Sequence, residues 1–160
     1  MQQTRQSTSL GSLADLDLPV GPDQLIDLTA ALASHPRLWR RLVRHDPETR
    51  WYERLLLTDA VEVWLIGWAA GQSTSVHEHG GAAGALTVVE GALEEEEFDP
   101  ELRLLRRGRH RAGTSAGFAP AHVHRIFNHS PSNATSLHAY SPPGQQMHEY
   151  VVAGLEELDQ

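Results

Sequence analysis

Hydrophobic positions in the first part of the chain recur at helical spacing. Residues 22–33 carry leucine and isoleucine on one side of a helical pattern, which predicts an amphipathic helix. Pro36 indicates the start of a second helix, so the helical part is predicted to extend over about 22–45. Residues 1–20 are polar and include Gly11 and Pro19, and we expect them to form a flexible N-terminal arm.

From about residue 51 the pattern changes to short segments of β-type residues separated by Gly, Pro, Asp and Asn. We predict strands over residues 61–68, 85–90, 92–98, 101–106, 121–127, 136–140 and 148–152. Many short strands without βαβ alternation favour a mainly β fold, a sandwich or a jelly-roll barrel, with the helices flanking it. A chain of 160 residues suits one domain, which we predict over residues 21–160.

The composition excludes several classes of function. The chain has no cysteine, which rules out disulfides, thiolate metal sites and cysteine nucleophiles, whereas its ten histidines offer nitrogen ligands. A formal net charge of −8 argues against a nucleic-acid partner, and the basic run over 103–111 is expected to face the acidic run Glu94–Glu97 across a hairpin. Neither a membrane span nor the apolar stretch of a signal peptide is present, so we predict a cytoplasmic protein without a membrane partner.

His77 and His79 are the strongest candidates for metal ligands. Alternate side chains of a strand point to the same face, so these two imidazoles can share one ion, and Glu78 points to the opposite face. A third imidazole from a distant strand would close one side of the coordination sphere and leave the other side open for substrate and oxygen. Facial three-ligand sites of this kind are used by non-haem iron.

The surroundings of this pair resemble the motifs of the cupin superfamily. Gly71 lies six residues before the first histidine and Gly91 follows the pair, as in the first cupin motif, and His124-x-x-x-Asn128 is similar to the end of the second motif. The resemblance implies a cupin-type jelly-roll barrel with the metal inside and His124 as the third ligand. His122 shares the strand face of His124 and is the competing candidate, but the downstream Asn128 favours His124.

The position of the usual cupin glutamate ligand is occupied by Gly84. Without that carboxylate the ion would be held by three neutral imidazoles and would keep its full double charge. Such a site favours anionic substrates that bind the metal directly.

Ser136, His138 and Tyr140 form a polar row that alternates with Leu137 and Ala139. On a strand the three polar side chains line one face, and a buried row of this kind must be hydrogen-bonded. We interpret it as a relay from the Ser136 hydroxyl through the His138 ring to the Tyr140 phenol.

From Tyr52 to Pro143 the chain resembles the cysteine dioxygenase family of thiol dioxygenases, a branch of the cupins. The stretch Ser-x-His-x-Tyr-Ser-Pro-Pro over 136–143 matches the family's relay. The resemblance implies Fe(II) on His77, His79 and His124, the relay residues Tyr140, His138 and Ser136 as catalytic groups, and Tyr52, Arg54 and Trp68 as substrate-binding residues. Arg54 is predicted to hold the substrate carboxylate with two parallel hydrogen bonds.

The implied reaction converts L-cysteine and O2 to cysteine sulfinate, in a protein that the family precedent predicts to be a monomer. Animal members of the family carry a cysteine at the position of Gly84 that forms a thioether with the relay tyrosine. This chain has no cysteine, so Tyr140 is expected to remain a free phenol.

Three alternatives stay open. The substrate could be another small thiol such as 3-mercaptopropionate or cysteamine, although Arg54 favours cysteine because relatives that prefer 3-mercaptopropionate carry Gln there. The chain could be a different cupin enzyme, an isomerase or a quercetin-type dioxygenase, but those mostly keep the glutamate that Gly84 replaces. It could also be a non-catalytic metal-binding cupin that senses a ligand.

Overall fold

A computed structural model describes residues 19–155. This part of the chain forms one α-helix, α1 (Pro22–Ala33), one 3-10 turn (Pro36–Leu38) and ten strands. The strands are β1 (Trp51–Leu57), β2 (Glu62–Trp68), β3 (Val76–Glu78), β4 (Ala83–Glu90), β5 (Ala92–Phe98), β6 (Leu104–Arg111), β7 (Ser115–Phe118), β8 (Val123–Phe127), β9 (Ala134–Ser141) and β10 (His148–Tyr150).

The strands form two five-stranded sheets whose strand orders are β1-β2-β9-β4-β7, here sheet I, and β10-β3-β8-β5-β6, here sheet II. All strand pairs are antiparallel. The buried residues Trp68, Leu86, Leu93 and Ile126 come from both sheets and belong to one apolar cluster. The mainly β fold predicted from the sequence is therefore confirmed.

Alternation along the strands gives sheet I two different faces. Leu65 of β2 and Leu137 of β9 belong to an apolar cluster with Leu25 of α1, so the odd-numbered face of these strands lies under the helix. Full burial of a leucine side chain contributes about 1.5–3 kcal/mol to stability. Thr29 of α1 is also fully buried, and the Thr87 hydroxyl of β4 donates to its oxygen over 2.8 Å. The opposite face carries the even-numbered polar row.

The second helix predicted from Pro36 is shorter than expected. The structure contains a single 3-10 turn, so the helical part does not extend to residue 45. Trp39 is buried and its indole N–H donates to the Leu32 carbonyl over 3.0 Å, whereas Leu38 and Leu42 are 60% and 44% exposed. The apolar positions therefore do not share a buried face, which a stable surface helix requires.

Most of the predicted arm, residues 1–18, lies outside the described residues. Its last part is ordered, because Val20 is buried and its N–H donates to the Ser141 hydroxyl oxygen over 2.9 Å. Within residues 19–155, neither helical element has the length and apolarity that a membrane crossing needs.

The predicted pairing of the acidic and basic runs is confirmed. β5 and β6 form an antiparallel hairpin in which Glu96 lies opposite Arg107 and Glu97 lies opposite Arg106. Both pairs form ion pairs, the first with 2.7 Å between the Arg107 Nε and a carboxylate oxygen. The sequence pattern did not predict β1 or β7, and it placed the start of β6 three residues too early.

Candidate metal centre

His77, His79 and His124 come together between the two sheets. His77 lies on β3 directly opposite His124 on β8, and His79 follows the end of β3. The ring centroids are 4.7–5.2 Å apart, and one nitrogen of each ring lies within 4.8 Å of the others. All three residues are buried. The structure thus brings together the three ligands predicted from the sequence, and Glu78 points away, toward His148 of β10.

The geometry of the three rings fits one divalent cation. The Nε2 atoms of His79 and His124 are 3.0 Å apart. Two nitrogen ligands at right angles, each about 2.1 Å from an ion, would lie about 3.0 Å apart. The Nδ1 of His77 donates to the Ser75 carbonyl over 2.8 Å, and the Nδ1 of His124 donates to Glu95 over 2.6 Å. These bonds fix the tautomer in which Nε2 carries the lone pair and faces the site.

Burial keeps the three imidazoles neutral. Desolvation, followed by the neighbouring His124, lowers the pKa of His77 to about 4 and that of His79 to about 2. Burial also lowers the pKa of His124, although the carboxylate of Glu95 opposes this shift. Metal binding requires the unprotonated nitrogen, so these ligands need not lose a proton near neutral pH.

Glu95 of β5 is buried behind His124. Its carboxylate accepts hydrogen bonds from His124, His122 and His110 over 2.6, 3.1 and 2.7 Å. Burial by itself would raise the pKa of Glu95, but the bonds from the three imidazoles outweigh it and lower that pKa. His122, the competing candidate for the third ligand, bonds to Glu95. Its ring nitrogen lies near possible ligand atoms of Glu95 and His124, but it does not form a group with His77 and His79.

The predicted relay is present on the inner face of β9 and extends one step further than expected. The Trp68 indole N–H donates to the Ser136 oxygen over 2.9 Å. Ser136 is 2.8 Å from the His138 Nε2, and the His138 Nδ1 is 3.2 Å from the Tyr140 oxygen. Within the described chain the buried Ser136 hydroxyl hydrogen has His138 as its acceptor, so the His138 Nδ1–H donates to Tyr140. The phenol hydrogen is therefore not used in the bond to His138.

The relay is electrically neutral. Burial lowers the pKa of His138 to about 3, with smaller contributions from His124 and Arg50. Burial raises the pKa of the Tyr140 phenol, against the opposing effect of Arg50. Tyr140 therefore stays protonated and keeps an O–H group. Its ring lies 4.6 Å from that of His79, next to the metal centre.

A pocket of about 350 Å³ reaches His79 of the metal centre. Its lining includes Arg50, Tyr52, Trp64, Ile66, His79 and Tyr140. The Arg50 guanidinium lies over the Trp68 ring, 5.0 Å from its centroid, and its Nη1 donates to the Ser73 carbonyl over 3.1 Å. The Nε of Arg50 is buried and has no hydrogen-bond partner among residues 19–155. An unsatisfied buried donor is costly, so the guanidinium retains unused hydrogen-bonding capacity beside the pocket.

Two of the predicted substrate-binding residues lie elsewhere than expected. Arg54 is not part of the pocket lining; its side chain is 43% exposed, pairs with Glu62 at 3.6 Å and lies over the Trp64 ring. Trp68 is buried behind the pocket, where it supports Arg50 and Ser136. Tyr52 does line the pocket, at an exposed position. Of these two arginines, Arg50 lines the pocket and Arg54 does not.

The space above Gly84 is filled by an aromatic ring. Gly84 lies between Tyr140 and Phe118 in sheet I, and a Cβ built on it would come within 2.1 Å of the Phe118 ring. Phe118 stacks against His79, with 5.3 Å between ring centroids, and against His122. The absence of a side chain at Gly84 is thus what admits Phe118 beside the metal centre, where other cupins carry a carboxylate ligand.

Comparison with known proteins identifies the family. The sequence matches the model of the family "Cysteine dioxygenase type I" over residues 17–152. The chain belongs to this family. It is 28% identical to "Cysteine dioxygenase type 1" of Danio rerio over 138 residues, which are 79% of this chain and 68% of that protein. Membership indicates a metal-dependent enzyme of the dioxygenase kind, which agrees with the three histidines.

Two solved structures show the same fold at low sequence identity. A conserved protein with a double-stranded β-helix domain from Klebsiella pneumoniae superposes with a TM-score of 0.60 at 19% identity, over 71% of this chain and 94% of that one. A cupin superfamily protein from Desulfitobacterium hafniense gives 0.55 at 15% identity, over 65% and 87%. The cupin fold and the cysteine dioxygenase resemblance predicted from the sequence are confirmed.

Three residues at the site were missed from the sequence. Arg50 precedes Tyr52 by two positions and so shares its strand face, which could have marked it as a rival to Arg54. Glu95 alternates in phase with the apolar Leu93, which places it on the inner side of β5. Phe118 carries no such signal, because its position depends on the pairing of β7 with β4.

Proposed function

We propose that this protein is an iron-dependent thiol dioxygenase that converts L-cysteine and O2 to cysteine sulfinate. Family membership supports the dioxygenase class. The choice of Fe(II) is supported by the facial set of three neutral imidazoles, and the choice of substrate by the residues of the adjoining pocket. The cytoplasmic location and the monomeric state stay predictions.

The position of Arg50 in the pocket is the observation that carries the proposal. It supplies a partly desolvated positive charge in the same pocket as His79, and burial lowers its pKa from the ordinary value. A guanidinium in the pocket lining can donate to a carboxylate, and stacking on the Trp68 ring holds its plane. A small thiol that carries a carboxylate would then have its sulfur directed toward the histidines.

Tyr140 supplies a hydrogen-bond donor on the same side. His138 donates to the phenol oxygen, so the phenol O–H is available to a substrate or oxygen atom in the pocket. Trp64 and Ile66 provide apolar surface that displaces water from the reacting groups. These residues would thereby bind and orient the reactants and donate a hydrogen bond to them, while the residues of the relay stay neutral.

An iron ion held by His77, His79 and His124 would supply the redox chemistry that joins dioxygen to the substrate sulfur. The overall change is balanced: the thiol R–SH and O2 give R–SO2H, with both oxygen atoms in the product. No external reductant or organic cofactor is required.

Oxygen consumption by iron-loaded protein tests the proposal. With L-cysteine we expect one O2 consumed per cysteine sulfinate formed, and with cysteamine, which lacks a carboxylate, much slower consumption. If L-cysteine, cysteamine and 3-mercaptopropionate all fail to support oxygen uptake, the proposal is overturned. If the protein binds cysteine under anaerobic conditions but consumes no O2 when air is admitted, a ligand-sensing cupin would be favoured.

3-Mercaptopropionate is the second candidate substrate. It shares the carboxylate that Arg50 would bind, and Arg54, whose presence favoured cysteine, does not line the pocket. The kcat/KM ratio of the two thiols decides between them. A ratio in favour of 3-mercaptopropionate would keep the thiol dioxygenase class and change the substrate.

A further inference from the structure

Glu95 is a buried carboxylate that accepts hydrogen bonds from three imidazoles, whereas support of one metal-ligating histidine requires a single such bond. One oxygen, Oε1, is 2.6 Å from the His124 Nδ1 and 3.1 Å from the His122 Nε2. The other oxygen, Oε2, is 2.7 Å from the His110 Nε2. An ionised carboxylate only accepts hydrogen bonds, so all three imidazoles donate to it. The side chains of His122 and His110 remain 20% and 15% exposed.

The sharing of Oε1 couples His122 to the metal centre. A carboxylate behind a ligating imidazole raises the basicity of the nitrogen that faces the metal. A second donor on the same oxygen draws electron density away from the first bond, and low dielectric strengthens this competition. His122 packs against the His124 ring, and its Nε2 donates to the same carboxylate oxygen of Glu95.

We propose that Glu95 is a positioning residue that strengthens the metal affinity of His124, and that His122 weakens this effect by sharing the same carboxylate oxygen. The inference rests on the proposed function for the existence of the metal centre. It gives Glu95 and His122 opposite effects on one measurable quantity. A purely structural cluster would give both residues effects of the same sign.

The test measures metal affinity in the absence of thiol and oxygen. Full-length variants are titrated anaerobically with Fe(II) and with Co(II) against a chromophoric chelator, and the Fe(III)/Fe(II) midpoint potential is recorded. Glu95→Gln keeps the side-chain shape and is expected to weaken affinity by about 10- to 100-fold, the usual effect of losing such a partner. Its midpoint potential is expected to rise, because a less basic imidazole stabilises Fe(III) less.

His122→Phe keeps an aromatic ring beside Phe118 and removes the hydrogen-bond donor. We expect tighter metal binding and a lower midpoint potential than in the wild type. His122→Gln restores an N–H group near the same place and should return both quantities toward the wild-type values. Weaker binding in His122→Phe than in His122→Gln would overturn the proposal, as would an unchanged affinity in Glu95→Gln.

Two further outcomes relate this inference to the proposed function, and the second separates them. A wild-type protein that retains no divalent metal would overturn both. A protein that binds metal but oxidises no thiol would overturn the proposed function alone, because these titrations contain no substrate. Should Glu95→Gln fail to fold, as judged by circular dichroism, the two His122 variants decide the question by themselves.

Discussion

The two sheets support their functional groups with opposite kinds of hydrogen bond. Behind the imidazoles of sheet II stand acceptors, the Ser75 carbonyl and the Glu95 carboxylate. Behind the polar row of sheet I stands a donor, the Trp68 indole N–H. An acceptor behind an imidazole leaves a lone pair facing the site, which suits a cation, whereas a donor passed along a relay leaves an O–H facing the site. This difference is expected if sheet II binds the metal and sheet I binds the substrate and oxygen.

The largest effect is expected when a ligand of sheet II is removed. His124→Ala should lower metal affinity by more than about 100-fold, because losing only the partner behind a ligand costs up to that much. Metal content after purification and a chelator titration measure the loss. His129→Ala is the matched control, since that histidine is exposed and does not belong to the ligand group. Full metal occupancy in His124→Ala would refute the ligand assignment.

Removal of the phenol O–H from sheet I should leave metal content intact and slow turnover. Tyr140→Phe is expected to lower kcat by about 100-fold or more, the range for loss of a positioned proton donor. Oxygen uptake per bound metal gives the value, with Tyr150→Phe as the control. If metal content and turnover fall equally, the phenol has only a structural role. The proposed division of roles between the two sheets would then be wrong.

Loss of the pocket arginine should act on substrate binding. Arg50→Ala is expected to raise the KM for cysteine by about 10- to 100-fold, because a charged hydrogen-bonded partner of the carboxylate is lost. Arg54→Ala is the matched control, with the same chemistry outside the pocket lining. A larger effect in Arg54→Ala would restore the assignment made from the sequence.

The smallest effect is expected where the two sheets meet at Phe118. Gly84→Ala should destabilise the fold by about 1–3 kcal/mol, since the added methyl group overlaps the Phe118 ring. Thermal unfolding measures the shift. Gly108→Ala is the control, because this glycine also lies in a strand and the nearest atom to a Cβ built there, the His110 Nε2, is 4.0 Å away. Adding Phe118→Leu to Gly84→Ala should recover part of the loss; a double variant no more stable than the single one would contradict the contact.

The sequence predicted the fold class because its alternation of polar and apolar residues survives in the sheets. Leu137 and Ala139 lie under α1, and the polar residues between them face the interior. The second predicted helix was wrong because Leu38 and Leu42 find no surface to pack against. Spacing indicates which residues share a face, but whether another element covers that face depends on the rest of the chain.

By itself the sequence predicted the three candidate metal ligands and the relay, and the structure brings the residues of each together. His-x-His on a strand and the alternation of Ser136, His138 and Tyr140 are local patterns, and local geometry fixes which side chains point together. The tertiary structure alone decided which arginine enters the pocket, which carboxylate supports His124 and which ring covers Gly84. Those contacts join strands distant in sequence, and their outcome depends on register and packing that no local spacing encodes.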